Sequence, residues 1–418
     1  MNIPKGWSKN TLKGLASDHT GSFTNGPFGS NLLTSELTGS GVPVIYIQDI
    51  HEGRYEKVSK GYVTTEKAES LKSCKTVKGD LILAKVGVPP CSAAIYNKEE
   101  NAIITQDVIR LNTTNKCTSL YLSHWFNSHI GQNEVHKIKI VGSRDRVSLT
   151  DLKKVYIILP PLPEQKRIAE LISTWDKAIE KTEQLIQAKE IQLHQFSKNL
   201  ILGHKRLKCT NNQFSESHFY KYPSDWALVK IGEIAREISL RNENSKATVL
   251  SCSKYHGLIN SLDYFGKQVF SNNISNYKVI KKGQFAYPSN HIEEGSIGFL
   301  NHCDIGIVSP IYVVFEVKND LVHAPYLYEL FKSNIYKHIF QTTTSSSVNR
   351  RGSLRWNSFS RIKVILPPIP EQIQISEALS RFKNEIDALH QLLQEFKKQK
   401  QGLMQKLLTG KWRVNTKD

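Results

Sequence analysis

The sequence predicts a mixed α/β (α+β) chain in which two globular domains are joined by two long helices that form an antiparallel coiled coil with pseudo-twofold symmetry. Three observations point there. At 418 residues the chain exceeds one average domain and is long enough to bury two separate cores. The motif Pro160-Pro161-Leu162-Pro163-Glu164-Gln165 returns 207 residues later as Pro367-Pro368-Ile369-Pro370-Glu371-Gln372. Behind each copy runs a proline-free segment of 39 residues, 164–202 and 371–409, which would measure about 58 Å as continuous helix.

Taken in order, the first domain is expected over residues 1–163, from Pro4-Lys5-Gly6-Trp7 to the β-rich Val155-Tyr156-Ile157-Ile158-Leu159. The first long helix and a linker fill 164–208. Proline at the entry and Glu164 in the first turn suit a helix N-terminus, and Gly203 marks its end. The second domain, 209–370, repeats the frame. Pro223-Ser224-Asp225-Trp226 answers to the opening motif, Lys282-Gly283-Gln284-Phe285-Ala286-Tyr287 to Lys78-Gly79-Asp80-Leu81-Ile82-Leu83-Ala84, and Ile362-Lys363-Val364-Ile365-Leu366 to the closing strand. The second helix and tail fill 371–418, with Glu371 and Gly410 in matching places. A shared frame with divergent contents implies two modules doing one job on different targets.

The helices carry a coiled-coil seam. Trp175, Ile179, Thr182, Ile186, Lys189, Leu193, Phe196 and Leu200 alternate four and three apart, as do Phe382, Ile386, Leu389, Leu393, Phe396, Lys400, Leu403 and Leu407. A parallel pairing in register creates three mixed layers. An antiparallel stagger matching Trp175 to Leu407, Thr182 to Lys400, Lys189 to Leu393, Phe196 to Ile386 and Leu200 to Phe382 leaves one mixed layer, so that stagger is expected. The linker from His204 to Tyr222 is expected to be irregular and is long enough for either orientation.

Charge indicates the partner. Lys plus Arg is 56 against 38 for Asp plus Glu, an excess of +18, which suits a polyanion. The excess is spread as +6, +3, +6 and +3 over 1–163, 164–208, 209–370 and 371–418, unlike a polybasic membrane anchor. No apolar run reaches membrane-helix length, and the N-terminus lacks a secretory apolar core, so a cytoplasmic protein with no membrane partner is expected. Cys74, Cys91, Cys117, Cys209, Cys252 and Cys303 have no metal-ligand spacing and read as free buried thiols, with no metal site. Two basic domains on a spacer of about 58 Å, longer than a turn of B-DNA, could read two separated half-sites of a duplex.

The doubled stretch PLPEQKRIAELI, from Pro161 to Ile172, and PIPEQIQISEAL, from Pro368 to Leu379, resembles the signature of the specificity subunits of type I restriction-modification systems, and the resemblance covers essentially the whole chain. The second copy departs in having Ile373, Gln374 and Ser376 where the first has Lys166, Arg167 and Ala169. The resemblance implies two target-recognition domains, each reading one half of a bipartite, asymmetric site in double-stranded DNA. It implies a non-catalytic subunit that directs adenine methylation or cleavage by its partners, two methyltransferase subunits and translocase-nuclease subunits. S-adenosylmethionine, ATP and Mg would belong to those partners and none to this chain.

The residues agree with a binding role. No phosphate loop, dinucleotide fingerprint or zinc-protease motif is present, and Glu164-Gln165-Lys166 and Glu316-Val317-Lys318, with Asp304 upstream, match a nuclease tripeptide too short to carry weight. Base readout needs Arg and Asn on surface loops. Arg144 and Arg146, in Gly142-Ser143-Arg144-Asp145-Arg146, are candidates in the first domain. Asn349, Arg350, Arg351 and Arg355, between Ser345 and Arg355, occupy the corresponding place in the second. For both, the alternative is a solvated loop. Asn290, with Tyr287 and His291 in the turn after Phe285-Ala286, forms a weaker candidate group, because Tyr287 also reads as core. Gln48 and Asp49 read as turn residues, and Lys177, Lys181, Lys397 and Lys398 as a solvated helix face. The sequence also admits a different reading: a bivalent coiled-coil scaffold for an acidic protein, without sequence-specific DNA binding.

Overall fold

The computed structural model describes residues 3–207, 213–243, 247–344 and 353–416. The chain divides into two compact units, Met1–Leu185 with His390–Asp418, and Ile186–Leu389. Two helices run through both, Leu162–Ile201 and Ile369–Leu407. Each unit therefore holds one globular domain, the start of the helix that follows it and the end of the other helix.

In the first unit the opening strand Ser8–Thr11 pairs antiparallel with the closing strand Tyr156–Leu159, so the domain's two ends meet where the helix departs. Between them lie two four-stranded sheets. One has the order Tyr62–Val63, Val42–Ile45, Ala102–Ile104, Lys75–Thr76; the other runs Phe23–Asn25, Val108–Leu111, Leu81–Ala84, Ala93–Ile95. Leu81–Ala84 is buried along its whole length, which its unbroken apolar run requires of a strand covered on both faces. The helices Ser119–Phe126 and His129–Ile138 are capped by the hydroxyls of Thr118 and Ser128. Tyr121, Leu122, Trp125 and Phe126 enter one core with Ile168, Ala169 and Ile172 of the first long helix and Met404, Leu407 and Leu408 at the end of the second.

The second unit repeats this plan. Ala227–Lys230 pairs with Lys363–Leu366. A four-stranded sheet runs Ala235–Ile238, Tyr312–Val317, Phe285–Pro288, Gly298–Phe299, and the helices Ala324–Lys332 and Asn334–Thr343 cover it. The core is more aromatic here. Phe285 stacks on Phe315 at 5.0 Å, and both meet Phe331 edge-on.

Within each unit the long helices run antiparallel, but the stagger differs from the one expected. Lys400 reaches Asp176 rather than Thr182, and Trp175 meets Phe396 edge-on at 5.7 Å rather than Leu407, which lies in the domain core. In the second unit Phe196 meets Phe382, not Ile386, and Lys189 bonds Glu385 at 2.8 Å while lying over the Phe382 ring. The physical reason lies outside the seam. The helix ends are fixed by buried contacts to the domains, and counting apolar layers along the helices alone cannot see them. Trp175, Ile179, Ile186, Leu193, Phe196, Leu200, Phe382, Ile386, Leu389, Leu393, Phe396, Leu403 and Leu407 are all buried or half-buried.

The linker also differs from an irregular chain, because Phe214–Glu216 and Lys221–Pro223 form an antiparallel hairpin. Cys74, Cys91 and Cys117 are buried free thiols, and Cys252 and Cys303 are only half-buried; Cys209 lies outside the described residues. Among the described residues no helix is long and apolar enough to cross a membrane.

Candidate nucleic-acid interface

The repeated Pro-Glu-Gln motif is the frame on which any binding surface hangs. Glu164 is buried; it accepts from Trp7 Nε1 at 3.2 Å and from Arg413 at 2.6 and 2.8 Å. Glu371 accepts from Trp226 Nε1 at 3.2 Å and from Arg206 at 2.5 and 2.7 Å. Arg206 also forks onto Asp225, and Glu371 and Asp225 together hold its guanidinium charged by raising its pKa. The next residue is equally engaged. Gln165 Nε2 donates to the carbonyls of Pro160 and Lys116 while its Oε1 accepts from Thr118 N; Gln372 does the same with Pro367, Leu321 and His323. Glu164 is thus occupied structurally. Glu316 is likewise bonded by Arg236 and Gln284, which leaves both nuclease-like tripeptides without a free carboxylate.

From this frame, each domain sends out a pair of loops that meet. In the first, Leu81–Ala84 continues into Lys85-Val86-Gly87-Val88, and the hairpin strands Lys139–Ile140 and Arg146–Val147 carry the Arg144 turn. Val147 N donates to Lys85 O, Gly87 N donates to Asp145 O, and Val86 bridges Arg146, so the two loops form one surface. Lys139 binds Asp145 at 2.8 Å, neutralising the turn's acid. Arg144 and Arg146 are exposed. The reading of Arg144 and Arg146 from sequence missed their neighbours, because Lys85 and Val88 lie far away along the chain.

The second domain repeats the meeting. Phe285–Pro288 continues into Ser289-Asn290, and Leu354 N donates to Ser289 O at 2.7 Å, which sets the segments carrying Asn290 and Arg355 side by side. Arg355 is exposed at the start of the short helix Trp356–Phe359, and Asn290 is half-buried. Asn349, Arg350 and Arg351 lie outside the described residues. Tyr287 is not at this surface: it is fully buried against Phe315 and Phe359. Asp49 is also structural, accepting from Tyr46 N, Val58 N, Ser59 N and the Ser59 hydroxyl, whereas Gln48 is exposed. Lys397 is not simply solvated, since it pairs with Glu183 at 2.8 Å.

Two other features gather polar side chains. His291, Glu293 and Glu294 hold ligand atoms within 4.8 Å of one another on a surface turn, where His291 and Glu294 make a 3.4 Å pair. A cleft of 1040 Å³ opens in the first unit between residues 51–56 and the helix pair. Its walls include Glu52, Glu56, Asp176, Glu180 and Glu183 against Arg54, Lys397 and Lys400, and an acid excess repels phosphate. At its edge His124 is buried, bonded to Ser173 at 3.1 Å and 3.7 Å from Asp176; burial pushes its pKa down to about 4.

Comparison with known proteins agrees with the doubled frame. The Type I restriction modification DNA specificity domain matches residues 4–190 and again 223–398. A protein of Methanocaldococcus jannaschii, provisionally named the type I restriction enzyme MjaX specificity subunit, is 23% identical over 394 residues, covering 90% of this chain and 88% of its own. The MjaVIII specificity subunit of the same organism is 28% identical over 203 residues, 47% of this chain and 45% of its own. The crystal structure of the type I restriction-modification S subunit from M. genitalium superposes with a TM-score of 0.56 at 17% identity, covering 97% of this chain and 96% of that one. A chain from a structure of type I R-M complex assembly and conformational transition gives 0.54 at 15% identity over 99% and 100%. The likenesses to the MjaX subunit and to the two structures extend over both units, and the chain belongs to the type I restriction-modification DNA specificity family, carrying two copies of its domain.

Proposed function

We propose that each domain reads one half of a bipartite, asymmetric DNA target and that the chain directs adenine methylation or cleavage by partner subunits without catalysing either. The observation that carries this reading is the duplicated loop meeting, Lys85 to Val88 with Arg144 to Arg146 in one domain and Ser289-Asn290 with Leu354-Arg355 in the other. The frame beneath is the same and the side chains differ. Phosphate contacts fix register, whereas base-edge contacts carry sequence, so one frame with two side-chain sets suits two different half-sites. Two diverged copies in one chain would read an interrupted, non-palindromic site. The partners implied are two methyltransferase subunits, which would bring S-adenosylmethionine, and translocase-nuclease subunits, which would bring ATP and Mg; a cytoplasmic setting follows from the target.

The test is selection of the purified full chain against a randomised duplex library at near-physiological salt. The expected result is a split motif with two unlike halves and a fixed gap. A scaffold for an acidic protein would bind duplex by charge alone and enrich no sequence.

A further inference from the structure

Three large apolar side chains stand in solvent around the first domain's loop meeting. Phe28 is 60% exposed, Val88 86% and Val141 75%. Single exposed apolar residues are ordinary, but these surround one basic surface. Lys85 places its ammonium 6.0 Å from the Phe28 ring centroid, and the same lysine's carbonyl receives Val147 N from the Arg146 strand. Val88 follows Gly87, whose N–H is held by Asp145 O, and Val141 opens the turn that carries Arg144. Phe28 itself stands at the entry of the turn Gly29–Asn31, outside the sheet cores.

Charge complementarity selects the occupant. Arg144 and Arg146 are exposed, and Asp145 is already bonded by Lys139, so the surface is set for a polyanion. Phosphates would satisfy the arginines and offer nothing to a phenyl ring or an isopropyl group. On a duplex, the apolar feature within reach of a groove-facing loop is the thymine C5 methyl group. We propose that Phe28 and Val88 are specificity-determining residues that pack against thymine methyls in the major groove of the first half-site, with Arg144 and Arg146 holding the backbone or adjacent bases. This rests on the DNA-reading function above and goes beyond it by naming the side chains and the atoms they read.

The experiment repeats the library selection with the full chain carrying Phe28→Ala or Val88→Ala, each checked for unchanged thermal unfolding. Duplexes are then made with uracil in place of each thymine of the wild-type motif's first half. The expected result is that one or more thymine positions of the first half become degenerate while the second half is retained. Uracil should weaken wild-type binding by about fourfold, one buried methyl's worth, and leave the matching variant unaffected. An unchanged first half in both variants, with uracil costing wild type and variants equally, would overturn the proposal while leaving the bipartite reading intact. If wild type enriches no motif at all, the function itself fails and this inference with it.

Discussion

Arg413 donates to both carboxylate oxygens of Glu164 although 249 residues separate them, and Arg206 closes on Glu371 in the same way. Each glutamate opens a long helix and each arginine stands just past the glycine that ends the other one. Within its own unit each contact therefore fixes how the two antiparallel helix segments pair, and the seam there takes whatever pairing that leaves.

Removing one partner should show this as lost stability. Arg206 has 6% of its side chain exposed and serves Glu371 and Asp225 together. Arg206→Ala leaves a largely buried carboxylate without its cation and should cost about 3 kcal/mol. Chemical denaturation of the two chains measures it, and a change below about 0.5 kcal/mol would show the contact to be incidental.

The frame of this fold was legible because it repeats. Helix entries, closing strands and terminal glycines match across 207 residues in the sequence alone. What stayed hidden were couplings between distant positions. Gly203 and Gly410 read as helix stops, yet each has φ of +69°, and a Cβ there would lie 2.3 Å from Pro223 Cγ or 2.6 Å from Pro4 Cγ. The prolines of both opening motifs thus sit on the ends of both helices, which composition and period cannot reveal. The site was half legible for the same reason. Arginines beside small residues marked Arg144 and Arg146, but nothing local in Val86-Gly87-Val88 announces that it lies next to them.

His124 gives the first unit a pH dependence with a definite sign. Burial holds its pKa at about 4 when folded against 6.5 for a free imidazole, so the unfolded chain binds the extra proton between those values. Stability contributed by the neutral imidazole is complete above pH 6.5 and falls as the pH drops towards 4. At pH 5 the loss should be about 2 kcal/mol. Comparing thermal unfolding of wild type and His124→Gln at pH 7 and pH 5 isolates the term; parallel losses in the two proteins would assign the sensitivity elsewhere.

Arg144→Ala combined with Arg146→Ala should weaken duplex binding. For each phosphate contact removed, the slope of log affinity against log salt should shrink by about 0.9. Titrations at several salt concentrations read both quantities. Unchanged affinity and slope would remove this hairpin from the interface.

Spacer length offers an independent handle on the bipartite reading. Adding one heptad to each long helix, at positions that preserve the seam, lengthens both by about 10 Å. The gap between half-sites should then grow by about 3 base pairs while each half keeps its sequence. Library selection reads gap and halves together; altered halves with an unchanged gap would contradict the spacer role.

The central claim, that this chain supplies the sequence specificity of a methylating complex, is tested most directly by mapping methyladenine across a genome. Single-molecule sequencing would compare cells carrying an active partner methyltransferase subunit with and without this chain. A split, asymmetric motif methylated only when the chain is present is the predicted result. No new methylated motif, with the partner shown to be active, would contradict it.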